Sequence, residues 1–190
     1  MLDQRIQGLY GITPNNNLNI ALIERIFNEH KVNILQYRHK TNNDKLKLEE
    51  AKRLLELCLQ HNTLFIVNDD VNLCKKIGAD GVHLGQNDVD VPSARRLLGK
   101  KFIIGVSCHN NLELALEAEK NGANYIALGA VFKSKTKPNA AYCSFSMIQN
   151  IKSNINIPIV GIGGITFENQ QSVLDAGCKS IAMIEDLFGH

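Results

Sequence analysis

Two carboxylates in this sequence follow short apolar runs, close to the points where buried strands would end. Asp69 comes just after the run 64–67, and Asp88 comes just after the run 81–85. In a parallel α/β barrel, ligands bind at the face formed by the C-terminal ends of the strands. Magnesium prefers a few carboxylate oxygens together with water and substrate phosphate. The pair predicts a metal-assisted site for an anionic substrate, whereas Asp70 is the better candidate for a helix cap.

Polar side chains also close the second apolar run. Alternation along a strand places Gln36, Arg38 and Lys40 on one face if the strand continues that far. Two cations cannot be buried in a barrel interior without counter-charge, so this face should meet solvent or an anion. The guanidinium group of Arg38 matches phosphate oxygens, and Lys40 supplies a point charge. A solvated strand end is the alternative, and this motif alone does not decide between the two.

Two loops add candidate anion ligands. The loop 129–138 is typical either of a solvated loop or of a lid that closes over a pyrophosphate. Within five residues it carries three lysines and two hydroxyls, namely Lys133, Ser134, Lys135, Thr136 and Lys137. Gly163 and Gly164 end a later apolar run, and consecutive glycines let backbone N–H groups approach a phosphate. A tight turn is the alternative interpretation of the two glycines.

Three side chains that could take part in chemistry lie at the end of the fifth apolar run. Ser107 could bind a phosphate or cap the next helix, and His109 could act as an acid or base or serve only as a loop residue. No Asp or Glu follows His109 at the spacing of a nucleophile triad, which disfavours a hydrolase. Cys108 could be a reactive thiol, but we favour a small buried side chain.

The elements that must position these residues alternate regularly along the chain. Eight apolar runs predict strands at 8–13, 33–38, 64–69, 81–85, 102–107, 125–131, 158–164 and 180–184. Segments with helical spacing separate them, which indicates right-handed crossovers and a parallel sheet. We expect a compact (β/α)8 TIM barrel as a single domain over 1–190. An open doubly wound sheet is the alternative, but no G-x-G-x-x-G follows the first strand.

Composition limits the functional classes. The 190 residues carry a net charge of +2 and no tryptophan, which disfavours a nucleic-acid module. The five cysteines form no C-x-x-C pair, so a disulfide framework or zinc site is not expected. The N-terminus lacks the apolar core of a signal peptide, and no apolar run reaches the roughly 18 residues that span a bilayer. We expect a cytoplasmic protein with no membrane partner. The sequence does not decide between a monomer and a homodimer.

Taken together, these motifs resemble the thiamine-phosphate synthase family over essentially the whole chain. The shared motifs are Gln36-Tyr37-Arg38-x-Lys40, Val67-Asn68-Asp69, Gly81-Val82-His83-Leu84-Gly85-Gln86-x-Asp88, Gly105-Val106-Ser107, Thr136-Lys137-Pro138 and Ile162-Gly163-Gly164. The family joins 4-amino-5-hydroxymethyl-2-methylpyrimidine diphosphate to 4-methyl-5-(2-hydroxyethyl)thiazole phosphate and releases pyrophosphate. The resemblance implies a Mg²⁺-dependent transferase that acts on phosphorylated small molecules.

The resemblance also implies a role for each matching residue. The pyrimidine diphosphate would contact Gln36, Arg38, Lys40, Asn68 and Lys137, and Ser107 would contact the leaving pyrophosphate or the pyrimidine amine. Mg²⁺ would be held by Asp69 and Asp88. The thiazole phosphate side would comprise Ser134, Thr136, Gly164, Ile184 and Glu185. The family usually has Thr at Ser134, Pro at Ala130 and a small Ser at Glu185, where a carboxylate facing the phosphate would repel it.

Two other functions compete with the synthase. A related barrel, the thiazole tautomerase, is an isomerase on a similar scaffold and would use His109 as its acid or base. That family has no need of the full diphosphate and metal set, so the presence of Arg38, Asp69 and Asp88 favours the synthase. A non-catalytic barrel that binds a phosphorylated ligand is the third hypothesis, and Glu185 is the reason to consider it.

Overall fold

Strands and helices alternate through the computed structural model, which describes residues 5–15, 18–133 and 141–189. The strands are β1 (Gly8–Ile12), β2 (Val32–Tyr37), β3 (Leu64–Asn68), β4 (Gly81–Leu84), β5 (Ile103–His109), β6 (Tyr125–Leu128), β7 (Ile159–Ile162) and β8 (Ser180–Met183). The helices are α1 (Ile20–Glu29), α2 (Asp44–Gln60), α3 (Val71–Ile77), α4 (Val91–Leu98), α5 (Leu112–Lys120), α6 (Phe145–Asn154), α7 (Gln170–Asp175) and α8 (Glu185–Phe188).

The eight strands close into a parallel barrel. Each strand pairs with the next one in the chain, and β8 pairs with β1. The (β/α)8 barrel expected from the sequence is therefore confirmed. The single domain over 1–190 stays a prediction, because the described residues do not cover the whole of that range.

Most strand ends lie within two residues of the sequence expectation, and β6 stops at Leu128 instead of 131. The local backbone explains two of the differences. β5 continues to His109 instead of ending at Ser107, because its pairing with β6 shifts register between these two residues. β7 ends at Ile162 instead of Gly164, since Gly163 and Gly164 take φ values of 101° and 62° that lie outside the strand region. Both irregularities fall at the C-terminal ends of strands, where ligands bind in this fold.

Polar side chains set the starts of most helices. At six helix starts in the described chain, the capping side chain accepts a hydrogen bond from the backbone N–H three residues on; the caps are Asn19, Asn43, Asp70, Asp90, Asn111 and Ser144. Each cap satisfies one of the N–H groups that have no partner within the helix. The structural role expected for Asp70 is confirmed, because its Oδ1 accepts from the Leu73 N–H at 2.8 Å.

The barrel interior holds aromatic and polar side chains beside aliphatic ones. Ile6, which precedes β1 and is 1% exposed, packs with the inward-facing side chains of the barrel. Tyr10 and Tyr125 meet edge to face with ring centroids 6.2 Å apart. A Cβ added to Gly105 would collide with the ring of Tyr125, so the glycine leaves the space that this phenol fills. The interior is therefore shaped around two buried tyrosines.

A second apolar layer lies between the strands and the surrounding helices and contains all five cysteines, which are buried and free. Burial raises the pKa of the Cys108 thiol to about 12, so this cysteine is a packing residue rather than a reactive thiol. Within the described ranges, the model contains no helix with the length and apolarity that crossing a bilayer requires.

Candidate active site

A cavity of about 540 Å³ opens at the C-terminal ends of the strands. Its wall runs from Gln36 and Arg38 on the β2 side to Ile184 and Glu185 beyond β8. A smaller depression of about 310 Å³ lies beside it, and Asn68 contributes to both. The depression is lined by Lys40 and Asp69 among others. The structure thus distributes Gln36, Arg38, Lys40, Asn68 and Asp69 over two adjoining hollows, whereas Asp88 lines neither of them.

The carboxyl groups of Asp69 and Asp88 interact, although they come from the ends of different strands. The charge of Asp88 and a side-chain hydrogen bond with it both raise the pKa of Asp69. The backbone N–H of Asp69 donates to the His83 carbonyl at 2.8 Å, and its φ is +62°. Asp88 Oδ2 accepts from the Gly85 N–H at 2.7 Å, which folds the turn after β4 back toward the strand end. Backbone contacts therefore fix the main chain at Asp69 and the carboxylate of Asp88.

Electrostatics at this pair disfavour the ionised form of Asp69. Burial, together with the hydrogen bond and the charge of Asp88, raises the pKa of Asp69 to about 6. Lys40 and Arg38 act in the opposite direction because their positive charges stabilise the ionised form. A divalent cation would take the place of the proton on Asp69 and remove the repulsion between the two carboxylates.

The oxygen ligands that the protein offers suit a hard cation whose remaining coordination positions bind water and substrate oxygens. Asp69 and Asp88 offer carboxylate oxygens, and no cluster of three or more His, Cys, Asp or Glu side chains arranged for a metal occurs in the described part of the chain. Magnesium binds through one or two carboxylates with waters and phosphate oxygens, whereas structural zinc requires four protein ligands. The arrangement fits Mg²⁺ held jointly by protein and a diphosphate.

Hydrogen bonds to neighbouring loops position the two cations. The backbone N–H of Arg38 donates to Thr13 Oγ1 at 2.8 Å, and that hydroxyl donates to the Arg38 carbonyl at 3.2 Å. The Lys40 N–H donates to Asn15 Oδ1 at 2.8 Å. β2 ends at Tyr37, so Lys40 lies in the following loop and lines the depression with Asp69, while Gln36 and Arg38 face the main cavity.

A chain of buried hydrogen bonds lines the floor of the cavity. Gln36 Nε2 donates to the Tyr10 hydroxyl at 2.7 Å, and the hydroxyls of Tyr10 and Tyr125 are 2.8 Å apart. His83 lies 3.0 Å from the Tyr125 hydroxyl through Nδ1 and 2.9 Å from Ser107 Oγ through Nε2. We name this set of five residues the floor network. Ser107 is its member nearest the turn after β5.

Sequence reasoning missed three members of the floor network. Tyr10, His83 and Tyr125 were not among the expected site residues, although all three line the cavity. His83 carried a usable signal, because a histidine between Val82 and Leu84 in an apolar strand must face the barrel interior by alternation. The tyrosines gave no comparable signal, since aromatic side chains at strand positions are ordinary core residues.

The opposite end of the cavity is formed by the turn after β7 and the start of α8. A Cβ on Gly164 would collide with the Lys133 carbonyl, and one on Gly163 would collide with Ala130, so both glycines allow the β6 loop to pack closely. Ile184 and Glu185 line this end together with Gly164. Glu185 therefore lines the same cavity as the glycine turn.

The remaining expected residues have different outcomes. His109 lines the cavity with a φ of +55°, and its carbonyl accepts from the Gly129 N–H at 2.9 Å. Ser134, Thr136 and Lys137 lie outside the described residues. Lys133, the last described residue before that gap, lines the cavity.

The closed parallel barrel and the charged face at the C-terminal ends of its strands place this chain among (β/α)8 enzymes of phosphorylated small molecules. The family model described as thiamine monophosphate synthase matches residues 9–187, and the chain belongs to that family. A thiamine-phosphate synthase of Nitrosococcus oceani is 41% identical over 192 residues, which cover 98% of this chain and 88% of that protein.

Solved structures agree with this assignment. The thiamine phosphate pyrophosphorylase of Pyrococcus furiosus is 32% identical, with a TM-score of 0.89 over 99% of this chain and 91% of that one. The N-acetylmannosamine-6-phosphate 2-epimerase of Clostridium perfringens is 14% identical, with a TM-score of 0.69 over 95% of this chain and 87% of that one. The second likeness reflects the fold alone.

Proposed function

We propose that this chain is a thiamine-phosphate synthase. It joins 4-amino-5-hydroxymethyl-2-methylpyrimidine diphosphate to 4-methyl-5-(2-hydroxyethyl)thiazole phosphate and yields thiamine phosphate and pyrophosphate. The observation that carries the proposal is the contact between the Asp69 and Asp88 carboxyls, with Arg38 and Lys40 close enough to stabilise the ionised form of Asp69. A diphosphate and a divalent cation need this combination of charges. Membership of the family supports the same reaction.

The two ends of the cavity would bind the two substrates. We assign the pyrimidine diphosphate to the β2–β5 side, with contacts from Gln36, Arg38, Lys40, Asn68, Ser107 and Lys137. We assign the thiazole phosphate to the β7–β8 side, with contacts from Ser134, Thr136, Gly164, Ile184 and Glu185. At Glu185 the contact would come from the backbone N–H, because its carboxylate would repel the phosphate.

The reaction needs charge stabilisation and alignment from the protein. The C–O bond between the pyrimidine methylene and the diphosphate breaks early, and the aminopyrimidine ring delocalises the positive charge. Pyrophosphate leaves with the electron pair of that bond, and Arg38 and Lys40 stabilise its growing negative charge. The barrel holds the thiazole nitrogen in line with the methylene carbon, where it forms the new C–N bond. No protein nucleophile is required.

We propose Mg²⁺ as the cofactor and Asp69 and Asp88 as its protein ligands. When bound, the ion would neutralise part of the charge on the pyrophosphate and orient its oxygens. One feature of the site supports this choice: the charge of Asp88 helps to raise the pKa of Asp69, and a cation would offset the repulsion between the two carboxylates.

One assay tests the proposal. The purified protein is incubated with both substrates and Mg²⁺, and thiamine phosphate is followed with and without EDTA. We expect product that EDTA abolishes, and losses of turnover on the order of 100-fold in Asp69→Ala and in Asp88→Ala. Asp70→Asn is the matched control, because asparagine also caps helices and Asp70 already serves as a cap. Turnover near that of the wild type in Asp69→Ala would contradict the proposal.

A second candidate function follows from the position of His109 in the cavity wall. A thiazole tautomerase would use this histidine as its acid or base. Isomerisation of a carboxylated thiazole phosphate without formation of thiamine phosphate, and its loss in His109→Gln, would favour the tautomerase. Binding of the substrates without turnover would favour the non-catalytic barrel.

The proposed reaction also bears on location and assembly. The substrates are soluble phosphorylated molecules, so we place the protein in the cytoplasm with no membrane or nucleic-acid partner. We propose a homodimer as the assembly, and light scattering at micromolar concentration tests it. The mass of a monomer would contradict this part of the proposal.

A further inference from the structure

The floor network contains a histidine for which the mechanism above has no use. His83 is 7% exposed and sits between the Tyr125 hydroxyl and the Ser107 hydroxyl, so both ring nitrogens have an oxygen partner. Its ring also stacks on that of Tyr125, with centroids 5.6 Å apart and 29° between the planes. A neutral imidazole with two such partners must donate from one nitrogen and accept at the other.

Donors and acceptors along the floor network match in one direction. The Gln36 amide donates to the Tyr10 oxygen, so the Tyr10 hydrogen is available for Tyr125. Tyr125 then donates to Nδ1 of His83, and His83 carries its own hydrogen on Nε2 and donates to Ser107 Oγ. The hydroxyl hydrogen of Ser107 is left to point into the cavity.

The reverse direction leaves a buried hydroxyl unmatched. If Tyr125 donated to Tyr10, the Tyr10 oxygen would accept from both Tyr125 and Gln36. Its own hydrogen would then have no acceptor among the hydrogen bonds of the described residues. Tyr10 is 1% exposed, and a buried hydroxyl with no acceptor is destabilising. The forward direction is therefore the stable one.

We infer that His83 is a positioning residue for the reaction, and that it sets the Ser107 hydroxyl as a hydrogen-bond donor to the leaving pyrophosphate. The inference rests on the proposed function. Of the two contacts that the resemblance left open for Ser107, it favours the one to the pyrophosphate. A serine that donates finds an acceptor in a pyrophosphate oxygen, whereas the pyrimidine amine presents hydrogens. No proton is transferred; the hydrogen bond strengthens as negative charge grows on the leaving oxygen.

The Ser107 backbone is held independently of its side chain. Its carbonyl accepts from Gln86 Nε2 at 2.6 Å, and the register shift after Ser107 leads directly into His109. Loss of His83 would therefore change where the Ser107 hydrogen points more than where the residue lies. This separation makes the role of His83 measurable apart from the fold.

The first experiment reads the direction of the network without any turnover. The protein is labelled with ¹⁵N-histidine, and long-range ¹H–¹⁵N correlations report which ring nitrogen of His83 carries the hydrogen. The His83 signal is assigned by comparison with His83→Gln, whose spectrum lacks it. We expect a neutral ring with its hydrogen on Nε2, both alone and with pyrophosphate and Mg²⁺ added. A hydrogen on Nδ1 would overturn the inference, whatever the activity of the enzyme.

The second experiment is a double-mutant cycle on kcat/KM for thiamine phosphate formation. We expect Ser107→Ala and His83→Leu each to lose on the order of 30-fold. In the Ser107→Ala background, His83→Leu should lose less than about threefold more, because it acts through a hydroxyl that is already absent. His83→Gln, which can still donate near the Nε2 position, should recover part of the loss. Equal losses from His83→Leu in both backgrounds would mean a purely structural role.

Binding separates failure of this inference from failure of the proposed function. Calorimetry with pyrophosphate and Mg²⁺ should show Ser107→Ala and His83→Leu weakened by similar factors, and thiazole phosphate affinity unchanged. His61→Gln, at the end of α2, controls for loss of a histidine.

If the wild type makes no thiamine phosphate, the proposed function fails, while the tautomer of His83 and the pyrophosphate affinity still test the inference about His83. If His83→Leu does not fold, His83→Gln and the tautomer decide, and unchanged pyrophosphate affinity in Ser107→Ala would refute the inference.

Discussion

Magnesium should compete with one proton for the Asp69–Asp88 pair. Burial and the neighbouring carboxylate raise the pKa of Asp69 to about 6, against the effect of Lys40 and Arg38. With that pKa, the ionised fraction of the pair is about 0.9 at pH 7 and about 0.1 at pH 5. Because the proton must leave before the cation binds, the apparent Kd for Mg²⁺ should rise about tenfold between pH 7 and pH 5.

The same proton makes the stability of the metal-free protein depend on pH. The pKa of Asp69 is higher in the folded chain than its ordinary value of 3.8, so the folded state binds this proton more tightly. The resulting stabilisation is fully present below about pH 4 and is lost as the pH rises through about 6. Since Asp69 is only half-buried, solvent screening limits the effect to about 1 kcal/mol.

Calorimetric Mg²⁺ titrations at pH 5, 6, 7 and 8 measure the competition, and thermal unfolding with and without Mg²⁺ at each pH provides a second measure. The gain in Tm on adding Mg²⁺ should increase between pH 5 and pH 7 and then level off. Asp70→Asn should leave this profile intact, whereas Asp88→Asn should lower the pKa of Asp69 and weaken Mg²⁺ binding. A Kd that stays constant from pH 5 to pH 7 would refute the proton-competition argument.

Three further predictions concern the scaffold. Gly105→Ala should destabilise the fold by about 2–4 kcal/mol in urea unfolding, because the added methyl would enter the ring of Tyr125; a loss under 0.5 kcal/mol would contradict the packing. Asn111→Ala should cost about 1 kcal/mol through loss of the α5 cap, while Asn111→Asp should retain the cap, as thermal unfolding can show. A thiol reagent at pH 8 should leave Cys108 unmodified until the protein unfolds, since burial raises its pKa to about 12; rapid labelling of Cys108 in the native state would show the prediction wrong.

The barrel could be predicted because its signals are local and repeat. Apolar runs of strand length alternate with helical spacing, and most helices carry capping residues such as Asp70 and Gly78 at their ends. The closeness of Asp69 and Asp88 followed from one further step, namely that neighbouring parallel strands end at the same face. No long-range information beyond the barrel topology was needed for either prediction.

The floor network could not be predicted from the same signals. Tyr10 and Tyr125 are separated by 115 positions, and their hydroxyls meet because the barrel closes on itself and Gly105 leaves room for a ring. The division of Arg38 and Lys40 between two hollows depends on where β2 stops pairing, and alternation along the strand does not reveal that point. Contacts that depend on closure and on strand ends require the three-dimensional structure.

The burial of Ile6 before β1 has a consequence for how substrates and products exchange during turnover. With Ile6 packed into the interior before β1 and the cavity opening where the strands finish, molecules enter and leave by way of that cavity. Two reactants and two products therefore share one passage. The product that dissociates more slowly blocks binding of the next substrate, so its release limits the rate once the chemistry is fast.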